Sequence, residues 1–312
     1  MRKIFFIFLL ICNINISTAQ IDIIEHEKPH FIFTWDNDVL FYTDYYYTQG
    51  LFFRLGETYL EKNPVNYTLL SLPNSSKTFS ISIIQQMYTP LEIRDSVVRI
   101  DDRPYAGVLY LRSEKLSINY DKKLLIRSSL DLGVRGKYSF AQYAQYYYHK
   151  IGDILLPMGW QYQMSDYPII NYNVALKKQI YSPNEYMVLN ALSEARLGTM
   201  FTDFSLGASA KLGLFKSVFS KDIADDFQIS AEASAFVKFV AHNGTMQGDL
   251  KNNPNVYEIK SPYIERIVGS YSALAKARYK NFELNFEWIF LTPEFEMGRE
   301  HRYNRLSLCF YW

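Results

Sequence analysis

The feature that most constrains this chain is a strict alternation of apolar and polar residues, held over stretches far longer than a soluble strand needs. From Phe282 to Phe290, the residues Phe282, Leu284, Phe286, Trp288 and Phe290 share one face, and Glu283, Asn285 and Glu287 share the other. Phe227, Ile229, Ala231, Ala233, Ala235, Val237 and Phe239 likewise oppose Gln228, Ser230, Glu232, Ser234 and Lys238. The pattern recurs with Phe204, Leu206, Ala208, Ala210, Leu212 and Leu214 against Ser205, Ser209 and Lys211. It recurs again with Leu124, Ile126, Leu130, Leu132 and Val134 against Arg127, Asp131 and Arg135. Period two is the signature of a strand with two unlike faces. Strands in soluble proteins usually run to about 5–6 residues, whereas these reach roughly 10–15. A soluble sandwich would turn the apolar faces inward over shorter strands. A transmembrane barrel turns them to lipid and keeps the polar faces inside.

The pattern predicts an all-β fold, an antiparallel transmembrane β-barrel of about 12 strands. They fall near 30–37, 48–58, 78–86, 105–119, 123–136 and 166–181, and near 185–197, 201–214, 227–241, 265–279, 281–291 and 302–312. The final segment "NRLSLCFYW" alternates and ends on Trp312, like the last strand by which outer-membrane barrels are recognised for assembly. With both termini in the periplasm, the odd-numbered connections face outward: 38–47, 87–104, 137–165, 198–200, 242–264 and 292–301. Residues 59–77 should then be a short periplasmic turn. Their length predicts that the second or third strand extends into them. Phe140 to Leu155, "FAQYAQYYYHKIGDIL", breaks the alternation and has no Gly or Pro before Gly152. It predicts a short helix across the extracellular mouth of the barrel.

The compartment follows from the first residues. Arg2 and Lys3 precede the apolar run Ile4 to Ile11 and the small residues of "STAQ", which together read as a secretory signal peptide over 1–19. Residues 20–312 then form a single barrel domain. Loss of the signal takes two positive charges from a net +1 and leaves −1, without the basic footprint of a nucleic-acid partner. Cys12 leaves with the signal, so Cys309 has no partner for an internal disulfide. After the signal there is no run of eighteen apolar residues, so no transmembrane helix is expected. Aromatic residues make up 17% of the chain, with 26 Tyr and 22 Phe, enough for the interfacial girdles of a membrane barrel.

The outward connections carry the unusual chemistry. In "DNDVLFYTDYYYTQG", Asp36 to Gly50, the hard oxygen donors Asn37, Asp38 and Asp44 lie close together, with Thr43 and Thr48 beside them. Oxygen donors without Cys or paired His suit Ca²⁺ better than zinc, although their spacing is not that of an EF-hand loop. A solvated polar rim would have the same composition. His149, on the Tyr-rich helix, is either a packed hydrogen-bonding residue or a base that can deprotonate water near neutral pH. Arg103, in "DDRPYAG", either pairs structurally with Asp102 or grips a phosphate in a planar fork, with Tyr105 beside it as a second candidate for binding substrate.

Taken together, "NDVLFYTDYYYTQG", "DRPYAGVLY", "AQYAQYYYHKIG" and "GWQYQ" resemble the outer-membrane lipid A 3′-O-deacylase family over most of the mature chain, most densely from Asn37 to Gln163. The resemblance implies a twelve-stranded barrel of the outer membrane, expected as a monomer, with its active site on the extracellular side. It also implies a calcium-dependent carboxylic ester hydrolase that removes the 3′-linked acyloxyacyl group from the lipid A of lipopolysaccharide. Asn37 and Asp38 match the pair implicated in calcium binding and catalysis, with Asp44 and Thr48 as further candidate ligands, and His149 matches the proposed general base. Asp36 stands where Glu is common, Gln49 replaces a usual Asn, and Gln161 replaces a frequent Asp; these departures leave acyl specificity open. The alternatives are a non-catalytic barrel (porin, adhesin or structural protein) and an outer-membrane phospholipase, the latter disfavoured by the lack of a recognisable Ser nucleophile motif.

Overall fold

Twelve antiparallel strands close into one barrel in a computed structural model that describes residues 28–220, 227–250 and 257–312. The expected signal peptide lies outside the described residues. The strands are β1 (His30–Asn37), β2 (Tyr46–Gly56), β3 (Ser76–Thr89), β4 (Ala106–Asn119), β5 (Leu124–Arg135) and β6 (Tyr167–Asn184). They continue with β7 (Met187–Gly198), β8 (Phe201–Leu214), β9 (Phe227–Asn243), β10 (Ile267–Tyr279), β11 (Phe282–Leu291) and β12 (His301–Tyr311). Each pairs with its sequence neighbours, and β1 pairs with β12 to close the ring. Closure removes every open sheet edge, as a bilayer demands of a spanning sheet. No helix among the described residues is long and apolar enough to cross a membrane.

The two faces of the wall behave as the alternation requires. Phe204, Leu206, Leu212 and Leu214 are exposed on the outside, while the neighbouring Ser205, Ser209 and Lys211 are buried inside. The lumen is filled by paired charges. Arg112 grips Asp131 at 2.7 Å, Arg305 grips Asp36 at 2.6 Å, Lys276 meets Glu283 at 3.1 Å, and Arg196 pairs with Asp203. Lys177 reaches Glu232 at 3.6 Å, from β6 to the non-adjacent β9. Charge-assisted and largely bidentate pairs of this kind satisfy groups that would otherwise be costly to bury. Among these groups lies a lumenal cavity of ≈ 170 Å³.

The two ends differ. At one end the strands are joined by tight turns such as 120–123, 185–186 and 280–281. Left-handed Lys123 and Lys280 complete two of them. The other end carries α1 (Ala141–Ile151), α2 (Gly244–Gln247) and the connections around them. Here Arg103 donates to Glu294 at 2.5 Å and Thr245 at 2.7 Å, and Arg135 reaches the Gly244 carbonyl and Asp249. Tyr46, Met246, Ile259, Ile264 and Phe295 pack into an apolar cluster over the mouth.

Two expectations need correction. The 57–75 connection is not absorbed by lengthened strands; it holds two 3-10 turns, Thr58–Lys62 and Pro64–Tyr67, and lies against the wall. The α1 helix forms where its sequence predicts, but it does not span the opening. The lumen-facing residues of β4 are Val108, Tyr110 and Arg112, so Gly107 faces outward, and its missing side chain admits Ser139 and Ala141. Gln85, also outward, donates to the Ser139 carbonyl at 2.6 Å. The helix therefore stands on the outer wall at the rim.

Candidate active site

The Asp36–Gly50 stretch divides by the parity of the strand. Asp36 points into the lumen, where it accepts from Arg305 and from Tyr47 Oη at 2.7 Å. Asn37, the next residue, must point outward. Its Nδ2 donates to the Thr48 carbonyl at 3.2 Å, and its Oδ1 accepts from the Val39 N–H at 2.8 Å, which starts the rim loop. A 3-10 turn, Val39–Phe41, and left-handed Tyr42 then bring the chain back toward the wall. The β2–β3 register skips Thr48, and this bulge turns its hydroxyl toward the same rim loop.

Asp38 is buried. Its carboxylate accepts from Thr43 Oγ1 at 2.9 Å, from the Tyr45 N–H at 3.3 Å and from Thr48 Oγ1 at 3.3 Å. The same Thr48 hydroxyl lies 2.7 Å from Asp44 Oδ1. One hydroxyl has one proton and can donate to only one of these carboxylates at a time. Burial, and then the neighbouring Asp44, hold the Asp38 carboxyl well above the usual carboxylate range. Burial raises Asp44 too, opposed by its bonds to Thr48 and Gln145 and by the nearby His149.

The third component comes from α1. Ala141, Gln145 and His149 recur every four residues and form its buried face. His149 Nδ1 lies 2.6 Å from the Leu155 carbonyl. A carbonyl only accepts, so Nδ1 carries the proton, and in the neutral ring Nε2 keeps its lone pair. Nε2 faces Asp44 Oδ2 at 3.4 Å. The helix ends at Gly152, and left-handed Asp153 folds the chain back to present Leu155. One turn before His149, Gln145 Nε2 approaches Asp44 Oδ1 at 3.4 Å, and its Oε1 accepts from Trp160 Nε1 at 2.6 Å. The Trp160 ring packs on Tyr105, 4.9 Å between centroids, and Tyr105 Oη donates to the Ile93 carbonyl.

The fold thus brings together Asn37, Asp38, Asp44, Thr48 and His149 on the outer wall at the rim. It does not bring Arg103 to them: its guanidinium is committed to Glu294 and Thr245 and lies 4.4 Å over the Tyr88 ring, in the mouth. Asp102 is not its side-chain partner; it accepts the Arg103 and Leu91 backbone N–H groups. Tyr105 stands one packing layer behind the cluster. Gln145 and Trp160 escaped the sequence reasoning, although a polar residue four before His149 on a helix was the signal that could have found Gln145.

The donor set fits a hard cation. Two carboxylates of raised pKa share the one Thr48 hydroxyl proton, while the Asn37 Oδ1 accepts from the Val39 N–H at the start of the same loop. Among the described residues, no three or more His, Cys, Asp or Glu side chains form a metal-binding group, so amide and hydroxyl oxygens would have to complete such a site.

Comparison with known proteins gives two positive findings. The family described as "Outer membrane protein LpxR" matches residues 4–312. Among solved structures, LpxR from Salmonella typhimurium superimposes with a TM-score of 0.72 at 19% identity, covering 91% of this chain and 100% of that one. The KdgM porin, with a TM-score of 0.39 at 8% identity, covers 91% of this chain and 99% of its own. The β domain of the Bordetella autotransporter BrkA has a TM-score of 0.41 at 9% identity, with the same two coverages. No curated protein sequence matches significantly.

Proposed function

This chain belongs to the LpxR family of outer-membrane proteins, and from that premise we propose that it is a lipid A deacylase, an ester hydrolase that removes the 3′-linked acyloxyacyl group. The observation that carries the reading is the 2.6 Å contact between His149 Nδ1 and the Leu155 carbonyl. The Leu155 carbonyl holds the proton on Nδ1 and leaves Nε2 as a base facing the carboxylate cluster, on the lipid side of the wall. A substrate embedded in the outer leaflet would reach this site without entering the lumen, which is lined by paired charges.

In the proposed reaction, water attacks the ester carbonyl carbon as His149 Nε2 takes its proton. The tetrahedral intermediate collapses by breaking the bond to the sugar oxygen, which receives that proton from the imidazolium. The products are the free acyloxyacyl acid and a 3′-hydroxyl. Asn37, Asp38, Asp44 and Thr48 would hold Ca²⁺, which when bound supplies positive charge to the developing oxyanion. Gln145 holds the Asp44 carboxylate in position. The exposed rim residues Val39, Leu40 and Tyr42 offer apolar surface beside the cluster for acyl chains.

The test is release of the acyloxyacyl acid from purified lipid A by the detergent-solubilised barrel. Release should stop with a calcium chelator and return with added Ca²⁺. His149→Ala should lower the rate about 10²–10⁴-fold, the usual contribution of a general base. Undiminished release by His149→Ala would remove His149 from the mechanism. The absence of release by folded, Ca²⁺-supplied protein would favour a non-catalytic barrel.

A further inference from the structure

The 57–75 connection inverts the polarity of the wall beneath it. The outward faces of β4, β5 and β6 carry Ser113, Lys115, Ser117, Ser128 and Tyr172, a polar stripe where a barrel ordinarily faces lipid. The connection satisfies this stripe from outside. Lys115 Nζ donates to the Asn66 and Leu69 carbonyls at 2.5 and 2.8 Å. Ser128 donates to the Leu70 carbonyl at 2.8 Å, Tyr172 to the Thr68 carbonyl at 2.9 Å, and Asn63 to Ser113 at 3.1 Å. Its own outer surface presents Tyr59, Tyr67 and Leu70, with Tyr67 93% exposed.

The dimensions of the wall place this strap. On β8 the exposed apolar face runs from Phe204 to Leu214. At about 3.4 Å per residue and a tilt of about 40°, that is ~26 Å along the membrane normal, the usual height of a barrel's apolar band. On β4 the outward face is covered at one end by Ser139 and Ala141 over Gly107, and at the other by Asn63 over Ser113. The bare wall between, which exposes Leu111, spans only ~15 Å by the same measure. One bilayer surrounds both sides of the barrel, so the shortfall must be made up by the covering segments.

We propose that the 57–75 strap is a lipid-contacting element that lies within the leaflet opposite the candidate site and replaces the wall of β4–β6 as the surface facing lipid. Polar groups turned to the barrel and aromatic and aliphatic groups turned away suit the boundary between headgroups and acyl chains. Its exposed side chains continue the lipid-facing surface of Ile83, Leu111 and Leu132.

The test uses the whole barrel reconstituted in phosphatidylcholine vesicles, with a nitroxide at Tyr67→Cys. Cys309 is buried and escapes labelling. Leu206→Cys on the outer wall serves as the lipid control, and Glu185→Cys in the exposed 185–186 turn as the water control. All three positions are exposed, so folding should be kept, and heat-modifiable migration verifies it. Collision with oxygen relative to a water-soluble nickel chelate should shift at position 67 to the Leu206 side of the midpoint between the controls. A ratio on the Glu185 side would place the strap in water and overturn the proposal.

Discussion

At the scale of single residues, the site turns on the one proton of the Thr48 hydroxyl between two carboxylates. The linkage has a definite sign. A carboxyl whose folded-state pKa lies above its unfolded value favours folding while protonated, and that contribution is lost as pH rises through the folded value. Asp38 and Asp44 are both raised, so the cation-free rim should lose stability as pH climbs past the ordinary carboxylate range. Calcium would reverse this only once both are ionised. The Ca²⁺-induced rise in unfolding temperature should therefore be small near about pH 4 and grow toward about pH 8, and a rise independent of pH would argue against ligation by this pair. Gln145 acts through Asp44, so Gln145→Ala should lower hydrolysis about 10–100-fold, as loss of an outer-shell partner commonly does, and shift the calcium concentration needed for half-activity. An unchanged calcium requirement would make Gln145 merely structural. Much of this cluster was legible because Asn37, Asp38, Asp44 and Thr48 are close in sequence. Its meeting with His149, and the distance of Arg103 from both, are tertiary facts. Nothing local to Arg103 says that Glu294, far along the chain, will claim it.

Among the elements, the strands were readable almost to their ends. Lipid on one side and charge on the other leave no freedom of register: a slip of one residue would invert both faces. The covering segments were not readable in this way. The buried face of α1, Ala141, Gln145 and His149, would suit a helix over the mouth or one on the wall equally well, and Gly107 decides between them. A Cβ at Gly107 would lie 2.2 Å from Ser139 Oγ and 2.4 Å from Ala141 Cβ. Gly107→Val should lift the start of α1 from the wall while β3 and β4 stay paired. The expected outcome is a barrel that still shows heat-modifiable migration but is cleaved faster by protease within 136–166 and is inactive. Retained activity would mean that α1 docks without this contact. The 57–75 strap was misjudged for a related reason: its hydrogen bonds go to the outer wall, and no periodicity of its own announces a partner.

For the whole molecule, the closed ring of twelve strands holds the rim rigid, and the charged lumen specifies the interior. Asp36 is fully buried against Arg305 and Tyr47. Asp36→Ala should destabilise the barrel by about 3–5 kcal/mol, the cost of breaking a buried pair, measured by denaturant unfolding in detergent. It should do so without involving the outer-wall cluster directly, since Asp36 and Asn37 face opposite sides. The same filled lumen predicts no steady ion conductance in planar bilayers, and stable open-channel currents would favour the porin alternative. The central claim is hydrolysis of a lipid A ester by His149 on the lipid side of this wall. Its most direct measurement is mass spectrometry of lipid A from cells producing the intact protein or His149→Ala, with equal barrel assembly and calcium supply. The account predicts lipid A lacking the 3′-linked acyloxyacyl group only with the intact protein. Unchanged lipid A in both, or the same loss in both, would contradict it.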